Sequence, residues 1–163
     1  MEFDRVLRSL TENRVEFVIV GLTAAIAQGA PLGTVDLDIC YRRTQDNAAQ
    51  LAAALKPFHP RLRGAPEGLP FKLDDKTIMM GCNFTFVTDA GDVDILGYIS
   101  GVGEYGDIHK NAVETEAFGL HLLMMSLEDV IRSKKAAGRN KDKAQLPVLE
   151  ETLRLRRQQT KDL

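Results

Sequence analysis

The stretch GTVDLDICY, residues 33–41, carries two acids two positions apart in an otherwise apolar run. On a strand, residues i and i+2 project from the same face, so Asp36 and Asp38 stand together while Leu37 and Ile39 turn into apolar packing. Two carboxylates this close repel, and each takes up a proton unless a cation or strong donors lie between them. A divalent metal meets that demand most simply. Mg2+ takes a few carboxylate oxygens together with waters and substrate phosphates, which the end of a two-aspartate strand can supply. A third carboxylate comes from GDVDIL, where Asp92 and Asp94 repeat the spacing. Asp94 is the better candidate: it lies deeper in its strand, between Val93 and Ile95, whereas Asp92 directly follows a turn. The alternative for Asp36 and Asp38 is an open sheet face in water, where alternating polar residues are ordinary.

The surrounding pattern supplies the elements that must hold these side chains. Phe3, Val6, Leu7 and Leu10 recur at helical spacing, and RVEFVIV reads as a strand buried on both faces. Gly21 ends it, and TAAIAQG predicts a short helix started by Thr23 and stopped at Gly29. Residues 34–41 follow as a second strand. Thr44 or Asp46 caps a helix bearing Ala48, Leu51, Ala52 and Leu55, which ends before Pro57. Residues 57–77, with four prolines and two glycines, predict a long loop, with a role as a lid among its uses. NFTFVT and DVDILGYI flank Asp89, Ala90 and Gly91 as a hairpin. Residues 112–116 and 120–125 predict two short edge strands. Ser126 and Asp129 open a helix that Gly138 closes, and a last helix carries Leu146, Leu149 and Leu153, with Pro147 near its first turn.

With 163 residues and 44% hydrophobic content, one domain spanning 1–163 is expected, with a C-terminal helical segment at about 126–158. The acidic N-terminus is unlike a secretory signal and no apolar run is long enough for a membrane, so a cytoplasmic chain with no membrane partner is expected. Cys40 and Cys82 lie outside any metal or redox spacing and read as reduced thiols. The three histidines are isolated. Residues 132–163 hold ten Lys/Arg against four Asp/Glu, leaving eleven against nineteen in residues 1–131. That asymmetry suits a site where acids hold a cation and bases meet a polyanion; a solvated basic helix is the alternative.

Taken in order, VIVG at 18–21, TVDLDI at 34–39 and DVDIL at 92–96 resemble the polymerase-β-like nucleotidyltransferase superfamily. The likeness is strongest to its small bacterial branch, the minimal nucleotidyltransferases and the nucleotidyltransferase toxins of toxin–antitoxin and abortive-infection systems. SLEDVIRSKKAAGRNKD, 126–142, is similar to the tail of that branch. The resemblance implies an α+β nucleotidyltransferase fold: a small mixed sheet flanked by helices, with C-terminal helices. It implies Mg2+-dependent transfer of an NMP from an NTP to a hydroxyl of RNA, protein or a small molecule. Asp36, Asp38 and Asp94 would be both the catalytic and the metal-binding residues, serving two Mg2+ ions. Gly21, Leu22, Thr23, Thr34, Lys134, Arg139 and Lys141 would bind the nucleotide. Possible partners are a tRNA and a cognate antitoxin or toxin protein. Leu22 departs from the pattern, which has Gly or Ser there, and Gln28-Gly29 replaces a His-Gly pair. These departures keep open a catalytically inactive binding module of the same fold. For Lys134, Arg139 and Lys141 the alternative is helix solubilisation with Asp142 pairing within the turn.

Overall fold

Val6, Leu7 and Leu10 form the buried stripe of α1 (Phe3–Glu12), with Phe3 partly buried beside them, in the computed structural model of the chain, which describes residues 2–163. The chain continues through β1 (Phe17–Ile19), α2 (Gly21–Ala27), β2 (Asp36–Tyr41) and α3 (Gln45–Leu55). A single 3-10 turn at Lys56–Phe58 leads into β3 (Arg61–Leu62), α4 (Asp75–Met80), β4 (Asn83–Thr88) and β5 (Gly91–Leu96). Then come β6 (Tyr98–Ile99), β7 (Gly103–Glu104), α5 (Tyr105–His109), β8 (Val113–Ala117), β9 (Leu120–Met124), α6 (Leu127–Ala137) and α7 (Asn140–Lys161). Among the described residues, a seven-stranded mixed sheet runs β3-β4-β5-β2-β1-β9-β8, and β6 and β7 form a separate ribbon. The fold is α+β, as expected. No helix among the described residues is long and apolar enough to cross a membrane.

Two parallel pairings organise the centre: β2 runs alongside β5 and β1 alongside β9, while the remaining pairs of the large sheet are antiparallel. Leu37, Ile39, Val93 and Ile95 alternate along β2 and β5 and are fully buried in one cluster with Leu7, Leu10, Leu51 and Leu55. Slipping either strand by one residue would expose these side chains and bury the acids. Each is worth about 1.5–3 kcal/mol when buried. Repulsion between two surface carboxylates about 4 Å apart is roughly 1–4 kcal/mol. Apolar packing therefore wins and holds the acids together on the opposite face.

Several local expectations change in the folded chain. Helix α2 begins at Gly21 rather than Thr23 and has no side-chain cap at its start. The 57–77 segment contains a 3-10 turn, the edge strand β3 and the start of α4, since Arg61 and Leu62 pair with Val87 and Phe86. Strand β9 is internal, because it pairs with β1 as well as β8; Leu122 and Met124 are accordingly buried. Pro147 lies inside α7, not in its first turn, because the capping interaction of Arg139 with Asp142 starts that helix at Asn140. Thr44 caps α3, and Gly138 closes α6 in the left-handed region at φ 62°. Both cysteines are free thiols.

Candidate functional site

Parallel pairing of β2 with β5 sets Asp36 level with Asp92 and Asp38 level with Asp94. All four carboxylates therefore leave one face of the sheet as a two-by-two patch. Into it reaches Arg63, just beyond β3, whose own backbone N–H donates to the Thr85 carbonyl at 2.9 Å. Its Nη2 donates to Asp94 Oδ1 at 2.9 Å and to the Phe86 carbonyl at 3.3 Å. Its Nε lies 3.4 Å from Asp92 Oδ2 and its Nη1 4.0 Å from Asp36 Oδ2. Asp94 is the most enclosed of these three carboxylates, at 16% exposure against 34% and 35% for Asp36 and Asp92.

Asp38 lies outside these ion pairs and lines a cleft of about 190 Å³ with Gly21, Tyr98, Lys134 and Arg139. Burial, followed by the charges of Asp94 and Asp36, pushes its carboxyl up to about 6, against the pull of Lys134 and Arg63. Burial also raises Asp94, Arg63 draws it back down, and Asp36 adds to the rise. Across the cleft, Lys134 Nζ meets Asp142 Oδ1 at 3.1 Å, and Arg139 Nε meets Asp142 Oδ2 at 2.6 Å. Asp142 is fully buried. Burial alone would raise its carboxyl, but the hydrogen bonds from Arg139 and Lys134 hold it at about 2.

These carboxylate oxygens are the hard donors that Mg2+ prefers, and a half-buried acid raised to about 6 is one that a cation would stabilise. The donor set fits the ion in its chemistry. As they stand, no three His, Cys, Asp or Glu side chains among the described residues are arranged to hold a metal, and the cation among the acids is Arg63.

No family model matches the sequence, and no curated protein does. Among the solved structures similar to this chain, two match it over nearly its whole length. One, solved as a candidate nucleotidyltransferase, is TM1012 from Thermotoga maritima: TM-score 0.57, 19% identity, 99% of this chain and 96% of that one covered. The other is the antibiotic-resistance factor ANT(2'')-Ia, with a TM-score of 0.58, 13% identity, and coverage of 97% and 88%. The fold is that of the nucleotidyltransferases.

Within this nucleotidyltransferase fold, the residues singled out in the sequence separate into three groups. Asp36, Asp38 and Asp94 share one face, and Asp38, Gly21, Lys134 and Arg139 line one cleft. Thr23 and Thr34 serve strand β2 instead: each hydroxyl donates to the Asp36 carbonyl at 3.2 Å, and Thr34 Oγ1 also accepts from the Asp36 N–H. Leu22 and Lys141 are not among the cleft-lining residues, and Lys141 is exposed on the first turn of α7. Gln28, at the position of the missing histidine, is buried and donates to the Ala24 and Met125 carbonyls, tying the end of α2 to the residue that follows β9.

Sequence reasoning did not find Arg63 or Tyr98; the pairing of Asp142 within the turn, given above as the alternative for the basic residues, is present with Arg139 and extends back to Lys134. Asp92, passed over in favour of Asp94 because it directly follows a turn, also faces Arg63. The signal for Arg63 was indirect: four acids on one face require a base, and PRLRG places two arginines at the start of the otherwise unexplained loop.

Gly21 has φ +63°, and a Cβ built there would meet Asp38 Oδ2 at 2.5 Å. Backbone conformation and the neighbouring carboxylate both demand glycine. Gly21→Ala is expected to cost about 2–3 kcal/mol in urea unfolding and to push Asp38 out of the cleft. A loss below about 0.5 kcal/mol, the ordinary range of surface substitutions, would contradict this contact.

Proposed function

We propose that this chain is an Mg2+-dependent nucleotidyltransferase that moves an NMP from an NTP to a hydroxyl of an RNA, protein or small-molecule acceptor. The observation that carries the reading is the β2–β5 register, which sets Asp38 level with Asp94 beside a cleft lined by Gly21, Lys134 and Arg139. Asp36, Asp38 and Asp94 would hold two Mg2+ ions, whose chemistry when bound is to neutralise phosphate charge and acidify the acceptor hydroxyl. In the reaction the acceptor oxygen bonds to the α-phosphorus, the bond to pyrophosphate breaks, and the hydroxyl proton goes to bulk water. Gly21 lines the same cleft, and its missing side chain lets the Asp38 carboxylate lie against the backbone there. Lys134 supplies a positive charge from the far wall, and the half-exposed Arg139, whose Nε and Nη2 are held by Asp142, keeps Nη1 for phosphate oxygens. Tyr98, half exposed at the cleft, presents a ring on which a base can stack. The basic surface of residues 132–163 favours RNA, tRNA included, among acceptors.

The test is transfer of label from each α-labelled NTP to total cellular RNA, to protein and to small acceptors, with Mg2+ and with chelator. Wild type is expected to transfer at least one nucleotide in Mg2+ only, and Asp36→Ala none. Equal transfer by the two proteins would reject the proposal. A second reading, a non-catalytic binding module acting as a toxin–antitoxin partner, draws on Leu22 after Gly21 and on Arg63 among the acids. Calorimetry separates the two: submillimolar NTP binding that needs Mg2+ and Asp36 argues for the enzyme.

A further inference from the structure

We propose that Arg63 and the divalent cation are alternative occupants of the carboxylate cluster, Arg63 holding Asp36, Asp92 and Asp94 together until the ion displaces it. This inference rests on the nucleotidyltransferase reading only for the identity of the ion. The three contacts are unequal: Nη2–Asp94 is a hydrogen bond at 2.9 Å, whereas Nε–Asp92 and Nη1–Asp36 are ion pairs at 3.4 and 4.0 Å. The buried Nε has no hydrogen-bond partner at all. A buried donor without an acceptor is costly, so this packing neutralises charge without completing the guanidinium's hydrogen bonds. Such a cation can be displaced by one that coordinates the same oxygens more fully. Arg63 also has somewhere to go. Its side chain is 31% exposed, and Gly64, the next residue, has φ +77° with open space around it. The guanidinium can swing outward while the backbone stays bonded to Thr85. Both the guanidinium and the ion carry positive charge, and two cations at one set of oxygens repel. Arg63 is thus a positioning residue that holds the side chains of three acids together in the metal-free protein and competes with the metal.

The experiment measures Mn2+ binding by the loss of the free-ion spin resonance signal, and Mg2+ by calorimetry, without nucleotide. Proteins compared are wild type, Arg63→Gln, which keeps length and polarity without charge, and Arg63→Lys. Arg63→Gln is expected to bind about tenfold more tightly than wild type or better, the scale of a close charge pair, and Arg63→Lys close to wild type. Binding by Arg63→Gln no tighter than wild type, absence of binding in both included, overturns the inference. Should Arg63→Gln fail to fold, the wild-type Arg63 Nε–H resonance decides: it is expected to shift and exchange faster at saturating Mg2+, and an unmoved resonance overturns the proposal. The two readings fail separately. Tighter metal binding by Arg63→Gln without any nucleotide transfer leaves this inference standing and removes the enzyme. Asp36-dependent transfer with equal metal affinities does the reverse.

Discussion

Asp38→Asn is expected to reduce nucleotide transfer by about 10³-fold or more while making the metal-free protein more stable at pH 8. Both effects come from the same feature: a carboxylate enclosed by the sheet and set beside two others, with Arg63 committed elsewhere. The Asp38 carboxyl rises from 3.8 to about 6 in the fold. A group whose folded pKa is raised binds its proton more readily when native, so the folded state loses relative stability as that proton departs. Below about 3.8 both states are protonated and there is no cost. Between about 3.8 and 6 the cost grows, and above 6 it is complete. A shift of about two units corresponds to roughly 3 kcal/mol, reduced here to about 1–2 kcal/mol because the cleft admits solvent. Asparagine has the same shape and never ionises. Its stability advantage should therefore be about 1–2 kcal/mol at pH 8 and small at pH 4, read by urea unfolding with chelator present. Added Mg2+ should stabilise wild type and not Asp38→Asn. Equal stability of the two proteins at pH 8 would remove the electrostatic account, and undiminished transfer would remove the catalytic one.

How far this site could be read beforehand follows from the range of the interactions that build it. Alternation is local, so the shared faces of Asp36 with Asp38 and of Leu37 with Ile39 were legible from nine residues. The hairpin 83–96 was legible for the same reason, through the Asp-Ala-Gly turn between its strands. Parallel pairing of β2 with β5 is not local: 56 positions separate Asp38 and Asp94 (94 less 38), and only a resemblance to a known order of elements anticipated their meeting. Arg63 was missed because its partners lie on two different strands. Its own segment is too rich in proline and glycine to show periodicity. Short helices were missed for a different reason. α4 and α5 span six and five residues, less than two turns, so neither develops an apolar stripe. Asp74, which caps α4 by accepting from Thr77 N–H, was the signal available. Leu22 illustrates the converse case. A departure from a pattern drew attention to a side chain that does not line the cleft, while the positive φ of the neighbouring Gly21 and its contact distance to Asp38 are visible only in three dimensions.

Asp142→Ala is expected to destabilise the fold by about 2–4 kcal/mol and to weaken NTP binding as well, although the residue itself touches no nucleotide in the proposed mechanism. Its carboxylate is fully enclosed where α6 passes into α7, and it does three things there. It accepts from the backbone N–H of Arg139 at 3.2 Å, starting α7. It receives the Arg139 side chain through Nε at 2.6 Å and Nη2 at 3.2 Å. It also binds Lys134 Nζ at 3.1 Å, and that lysine is only 12% exposed. Removing the acid strands a nearly buried ammonium, which is costlier than the loss of an exposed pair. Arg139, more than half exposed, can return to water, which places the estimate below the upper end for a buried network. The pH dependence has the opposite sign to that of Asp38. A carboxyl lowered from 3.8 to about 2 contributes stability that is fully present above about 4 and lost as pH falls toward 2. Acid unfolding of wild type should therefore contain a component between pH 4 and 2 that Asp142→Ala lacks, measured by circular dichroism. Asp142→Asn distinguishes geometry from charge: it retains one acceptor for the helix start but cannot neutralise Lys134. Asn is expected to recover part of the stability and little of the NTP affinity read by calorimetry. If Ala and Asn both bind NTP like wild type, the clamp is a structural joint alone, and Lys134 and Arg139 do not owe their place at the cleft to Asp142.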